Sequence, residues 1–222
     1  MPPERPTPSP AAPTAPTDIL VLAAHPHREL SRVGQALLQA ASAVARVEAR
    51  DLYALYPDYH IHLDAERAAL MRARLVVWLH PIHWYHMPPL MKLWVDDVLG
   101  FGWAYGPGGN ALRGKDLWLV TSTGGSEDSY HPRGHNRYAF DAFLPSYEQT
   151  ATVCGMRFLP PMVLHGSHAM APDELTARAA VLGDRLRQYP DWPELDDLPA
   201  CVDCEVPSSA RPSPVDEPQG GA

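Results

Sequence analysis

Three short stretches of this chain gather residues that can bind anions, move protons or stack on flat ligands. The densest is His80-Pro-Ile-His-Trp-Tyr-His-Met-Pro-Pro-Leu90, with three histidines, two aromatics and three prolines in eleven positions. His80, His83 and His86 recur every third residue, so metal ligation is the first chemistry to weigh. The stretch lacks the H-E-x-x-H form of a helical zinc pair, and its prolines keep the three imidazoles off one helix face. A rigid wall for a planar heteroaromatic ligand fits better, with the backbone and rings of Trp84 and Tyr85 as contacts. No metal is expected.

The second stretch, His25 to Gly34, runs into a helix start. Ser31 can cap that helix, His25 and Ser31 can donate to an anion, Arg32 can add charge, and first-turn N–H groups are free. A capped helix with exposed polar neighbours is the plainer alternative. Neither G-x-G-x-x-G nor G-x-x-x-x-G-K-[ST] occurs, so the dinucleotide and P-loop fingerprints are absent. The third stretch, Thr121-Ser-Thr-Gly-Gly-Ser126, offers small side chains and bare backbone that a ligand can approach closely. Tyr130 and His135 follow it. Either can hydrogen-bond a developing anion, and the histidine can exchange protons near neutral pH. No G-x-S-x-G is present, so an esterase elbow is unsupported.

The elements that must position these stretches are legible in the hydrophobic pattern. Short, unbroken apolar runs at Ile19–Ala24, Leu75–His80 and Asp116–Thr121 read as strands covered on both faces. Val47–Asp51 is a weaker strand, and Phe158–His165, broken by Pro160-Pro161, suits an edge. Between them lie helical stripes: Val33, Leu37, Ala40, Ala41 and Val44; Asp64 to Arg72; Leu90, Trp94 and Val98 after the helix-starting Pro88-Pro89; Phe140 to Cys154; and Leu175, Ala179, Leu182 and Leu186. Leu52 to Tyr59 reads as a loop, and Gly102 to Gly114 as a long Gly-rich one of the kind that carries function. Five strand–helix alternations predict an α/β fold, a three-layer, doubly wound parallel sheet. Such sheets bind ligands beyond the carboxyl ends of their strands, at the topological switch point. That rule selects the same three stretches.

The 222 residues suffice for one domain with tails: a Pro-rich arm at 1–17, a domain at 18–192 and an acidic Pro-, Ser- and Gly-rich tail at 193–222. Of the net charge of −8, the residues from Asp191 onward carry −7. The remainder is close to neutral, without the basic footprint of a nucleic-acid binder. Three cysteines make no disulfide framework, no apolar run spans a membrane and no signal peptide is apparent, so a cytoplasmic protein is expected. Cys154 reads as a small buried residue. Cys201 and Cys204 form a C-x-x-C without a second pair and read as incidental thiols. His60, His62, His165 and His168 have no spacing that assigns them a role.

Several ordered motifs carry a family resemblance over Asp18 to about Glu194. They are Ala24-His-Pro26, Leu52-Tyr-x-Leu-Tyr-Pro-Asp58, His80-Pro-Ile-x-Trp-Tyr-x-Met-Pro-Pro-Leu-Met-Lys-Leu-Trp94, Gly102-Trp-Ala-Tyr-Gly106, Gly108-Gly109, Ala111-Leu112, Gly114-Lys115, Thr123-Gly-Gly125 and Leu159-Pro-Pro161. The chain resembles the flavodoxin-like NAD(P)H:quinone oxidoreductases of the DT-diaphorase group, in particular the branch serving as ancillary subunit of glutathione-gated potassium-efflux systems. The resemblance implies FMN, rather than FAD, with its phosphate at His25 and at Ser31, Arg32, Val33 and Gly34. It implies that Ile82, His83, Trp84 and Tyr85, with Ser122, Thr123, Gly124 and Gly125, flank the flavin ring. Tyr130 and His135 would be the catalytic pair, and relatives often have Asn where Gly34 stands. The implied activity is two-electron, ping-pong transfer of hydride from NAD(P)H through the flavin to a quinone or another electrophile. The implied assembly is a homodimer, with the Trp103 to Leu112 loop near its boundary. The alternative is a regulatory subunit docked on the inner face of the membrane against a potassium/proton antiporter, with catalysis secondary.

Overall fold

The computed structural model describes residues 17–198. Its sheet contains β1 (Ile19–Ala23), β2 (Val47–Asp51), β3 (Leu75–Pro81), β4 (Asp116–Ser122) and β5 (Arg157–Leu164). All pairs are parallel, in the order β2-β1-β3-β4-β5. Ile19 pairs with both Val47 and Leu75, so β1 lies between β2 and β3. Chain order reverses there, which makes the β1/β3 boundary the switch point. β5 is an edge strand, as its prolines require. Its register slips between Trp118 and Val120, and the Trp118 indole donates to Pro160 O at 3.0 Å.

Strand side chains alternate between two cores. Leu20, Leu22, Val76, Trp78, Leu117 and Leu119 face α2 (Leu52–Leu55), α3 (Leu63–Arg72), α4 (Pro89–Val98) and α5 (Pro145–Val153). Ile19, Val21, Val77, Leu79, Trp118 and Val120 face α1 (Arg32–Ser42) and α6 (Pro172–Gln188). The result is a three-layer, doubly wound, flavodoxin-like sheet. Both faces of the central strands are covered, which is why they read as continuous apolar runs.

Several local expectations need correction. Ser31 precedes α1, but its side chain makes no capping bond. The Leu52–Tyr59 stretch is not all loop: the Asp51 carboxylate accepts from Ala54 N–H at 3.3 Å and starts the single turn of α2. The Phe140–Cys154 stretch is divided at Pro145 into a 3-10 turn and α5. α4 starts on Pro89, as proline at a first helical position permits, and the hydroxyl of Tyr53 accepts from the Leu90 N–H at 3.2 Å. The Gly-rich loop after α4 is anchored: Ala104 and Leu112 are buried, and the Arg67 guanidinium lies 4.8 Å over Trp103. Gly106 has φ +78°, and a Cβ there would meet Phe101 Cε2 at 2.4 Å, so only glycine fits that turn.

Residues 193–198 also extend the fold. Pro193–Leu195 form a 3-10 turn, Leu195 is buried, and Arg157 donates to its carbonyl at 3.2 Å. Residues 1–16 and 199–222, with Cys201 and Cys204, lie outside the described residues. Cys154 is buried, and burial pushes its thiol up to about 12. Among the described residues no helix is long and apolar enough to cross a membrane.

Candidate functional site

At the switch point the loops after β1, β3, β4 and β5 enclose a groove. One part, about 430 Å³, is lined by residues including His25, Ser31, Arg32, Val33, Gly34, Ile82, His83, Ser122 and Gly124. A second part, about 260 Å³, is lined by Ile82, Trp84, Tyr85, Gly125, Ser129, Tyr130, His135 and Asn136. Ile82 borders both, so the two parts are neighbours. A further space of about 440 Å³ shares His25, Ser31, Gly34 and Pro81 and continues along α1 past Arg28 and Asp51.

The β1 loop forms the polar end. Among the described residues the N–H groups of Arg32, Val33 and Gly34 find no acceptor, because the first helical bond of α1 is Gln35 N–H to Ser31 O. Ser31 is buried, and a Cβ on Gly34 would sit 2.3 Å from its hydroxyl oxygen. The glycine thus leaves room for the hydroxyl beside these donors. His25 Nδ1 accepts from His27 N–H at 3.1 Å, which leaves Nε2–H as the donor of a neutral ring. Burial, then repulsion from His83 and His27, pushes the His25 imidazole down; burial does the same to His83, whose ring meets His25 edge-on at 5.7 Å. Arg32 lines the groove but is already engaged: its Nη2 donates to Met170 O at 2.5 Å and to Ser167 O at 3.4 Å. It ties α1 to the loop after β5 rather than standing as a free cation.

The β3 loop is the wall, and its backbone is unusual. His83 and His86 exchange N–H to carbonyl bonds at 2.8 and 3.1 Å, while Trp84 and Tyr85 have φ of 49° and 65°. This is a two-residue hairpin with both central residues left-handed, a conformation in which Asn and Gly are usual. Trp84 is 94% exposed. Tyr85 stacks on Phe143 at 5.1 Å. The three histidines do not converge on one point. His80 is buried against Tyr147, with Nδ1 2.9 Å from Pro81 O; His86 stacks on the same Tyr147 ring and meets Ser146 Oγ at 3.1 Å; His83 turns away to His25. Among the described residues no three His, Cys, Asp or Glu side chains are grouped to hold a metal.

The β4 loop supplies backbone. Ile82 N–H donates to Ser122 O at 2.8 Å, joining wall and loop, while the N–H groups of Gly124 and Gly125 have no acceptor among the described residues. Thr123 is buried, and its hydroxyl donates to Gly125 O at 2.8 Å. Tyr130 packs against Phe140 and Phe143, and burial raises its hydroxyl above the ordinary range. His135 is exposed at the mouth of the smaller part.

The loop after β5 adds two residues with no role assigned from sequence. His165 Nδ1 lies 2.9 Å from Thr123 Oγ1, and its ring is 5.3 Å from Tyr130. His168 lines the larger part, and its Nε2 is 3.0 Å from where a Cβ on Gly124 would stand. The same end-of-strand rule that selected the other loops applies to β5.

A groove with an anion-binding helix start, a rigid aromatic wall and uncommitted N–H groups along one edge fits a flat, phosphorylated heteroaromatic. Comparisons with known proteins give the family. The family model for the flavodoxin-like fold matches residues 17–186. The glutathione-regulated potassium-efflux system ancillary protein KefF of Salmonella newport (strain SL254) is 44% identical over 168 residues, which cover 76% of this chain and 94% of that protein. The general stress protein 14 of Treponema denticola, solved in complex with FMN, has a TM-score of 0.72 at 34% identity, over 76% of this chain and 97% of that one. A chain named as a thermophilic tryptophan halogenase from Streptomycin violaceusniger has a TM-score of 0.73 at 36% identity, over 75% and 97%. Similar chains with such different names show that the fold alone does not choose the reaction. On the match across residues 17–186 and the 44% identity to an efflux ancillary protein, the chain belongs to the flavodoxin-like family.

Proposed function

We propose that this protein binds FMN in the switch-point groove and is an NAD(P)H:quinone oxidoreductase working as a homodimer. The observation that carries this is the set of uncommitted N–H groups at the start of α1 and at Gly124 and Gly125, facing one groove with an aromatic wall. His25 and the N–H groups of Arg32, Val33 and Gly34 would hold the phosphate, with Ser31 beside them. Ile82 to Tyr85 and Ser122 to Gly125 would flank the ring. When bound, the flavin supplies reversible two-electron hydride chemistry that side chains lack. The protein's part would be orientation and electrostatics: the N–H groups of Gly124 and Gly125 would favour negative charge on a bound flavin. Tyr130, raised by burial, stays protonated at neutral pH and can donate a hydrogen bond there. His135 at the mouth can pass a proton between solvent and a bound substrate.

Purified protein is expected to be yellow, to release FMN on denaturation, and to oxidise NAD(P)H with a quinone along parallel double-reciprocal lines. Tyr130→Phe should lower kcat about 100-fold, the scale of losing one positioned donor or acid. A colourless protein that cannot be reconstituted with FMN refutes the assignment. The 44% identity to a potassium-efflux ancillary protein favours a second role, docking on a potassium/proton antiporter at the inner membrane face. Co-purification with antiporter-containing membranes, retained in the Tyr130→Phe variant, would establish that role as separate from catalysis.

A further inference from the structure

We infer that His165 is a positioning residue of this site, acting through Thr123 on the Gly124-Gly125 edge and by direct packing on Tyr130. The inference rests on the flavin reading above. Its starting point is one hydroxyl with more than one partner. Thr123 Oγ1 lies 2.8 Å from Gly125 O and 2.9 Å from His165 Nδ1, but carries a single proton. A carbonyl oxygen can only accept, so the proton belongs to the Gly125 contact. His165 must then donate to Thr123 from Nδ1–H. This selects the tautomer opposite to the one a free imidazole side chain favours in water. Burial pushes the His165 imidazole down, consistent with a neutral ring.

The same contact joins two strand ends. Gly166 N–H donates to Gly125 O at 2.8 Å, Ser167 N–H to Thr123 O at 2.9 Å, and Thr123 N–H to Leu164 O at 3.0 Å. His165 lies between these bonds, at the turn where β5 ends. Its ring also packs 5.3 Å from Tyr130 and 5.3 Å from Phe140. Thr123 Oγ1 is therefore the node through which His165 supports the Gly125 peptide, while its ring supports Tyr130 directly. Without the Nδ1–H donor, the Thr123 hydroxyl loses the partner that fixes its rotamer, and Gly166 N–H alone holds Gly125 O and with it the aim of the neighbouring N–H groups.

Two measurements test this. Nitrogen-15 NMR on the full chain without flavin is expected to show His165 protonated on Nδ1 and not on Nε2. FMN titration is expected to show affinity falling about 10-fold or more in His165→Leu, as for a lost hydrogen bond that organises others. His165→Asn, whose side-chain N–H overlies Nδ1–H, should stay within about threefold of the wild type on the same scale. Circular dichroism confirms that each variant is folded before titration. An Nε2–H tautomer, or equal loss of affinity in the Leu and Asn variants, would overturn the inference while leaving FMN binding by the wild type intact. A wild type that binds no FMN sinks the flavin assignment itself, and the flavin role of His165 with it.

Discussion

Trp84 is the residue whose conformation and exposure are hardest to account for by stability. A left-handed φ of 49° costs a non-glycine residue on the order of 1 kcal/mol, and a side chain 94% exposed recovers almost none of it by packing. Trp84→Asn should therefore raise stability by about 1 kcal/mol in urea unfolding while weakening FMN binding. A variant with lower stability would show that the turn is unstrained. His80 makes the opposite kind of demand. Burial pushes its imidazole from 6.5 to about 4, and among the described residues its buried Nε2 has no partner. In the unfolded chain it binds a proton near pH 6.5, so below that pH the unfolded state holds the extra proton. Stability should fall by up to about 3 kcal/mol as pH drops from about 6.5 to about 4. Urea melts across that range should show a shallower slope for His80→Phe; an unchanged slope would assign the acid sensitivity elsewhere.

At the scale of elements, the helices on one face are tied together by a single buried carboxylate. Glu66 of α3 is 0% exposed and accepts from Arg50 Nε of β2 at 3.1 Å, from Trp94 Nε1 of α4 at 2.8 Å, and from the hydroxyl of Tyr56 after α2. Trp94 lies on the helix that begins immediately beyond the wall loop, so the network holds that helix against the sheet. Glu66→Ala strands the Arg50 charge and the indole N–H, although Glu48 still meets Arg50 at 3.2 Å. The expected loss is about 3 kcal/mol, at the low end for a broken buried pair. Thermal or urea unfolding of Glu66→Ala against Glu66→Gln measures it, and the Gln variant, which keeps an acceptor, should lose less.

Across the whole molecule, the end of the sheet opposite the groove is closed by residues beyond α6. Asp116 holds Arg157 at 2.8 Å and accepts from the Tyr189 hydroxyl at 2.8 Å, while Tyr189, Trp192 and Leu195 are all buried. Trp192 meets Trp118 edge-on at 4.8 Å beneath β4. A chain truncated after Gln188 should lose on the order of 5 kcal/mol, since each large apolar side chain buried contributes about 1.5–3 kcal/mol. Circular dichroism melts would show it, and a truncated chain as stable as the full one would mean that this layer only covers the sheet. The composition of residues 193 onward, acidic and rich in proline, concealed this role. Leu195 and the carbonyl it offers to Arg157 carry no local signal, because Arg157 lies 38 positions back along the chain.

The sequence by itself determined the order of strands and helices, the depth of their burial and the end of the sheet at which the groove opens. Those properties follow from periodicity and from the short reach of proline, glycine and capping residues. Val47–Asp51 is the same strand by pattern and by structure, and Leu90, Trp94 and Val98 are core residues by both. Tertiary structure alone decided which side chains share the groove. His80, His83 and His86 look like one cluster in the sequence, yet His80 and His86 stack on Tyr147 while His83, beside the left-handed turn, faces His25. His165 shows no pattern, yet it meets Thr123, 42 positions earlier, because the parallel pairing of Ser122 with Leu164 brings the two strand ends level. Contacts of that kind depend on register between strands distant in sequence, which no local spacing records.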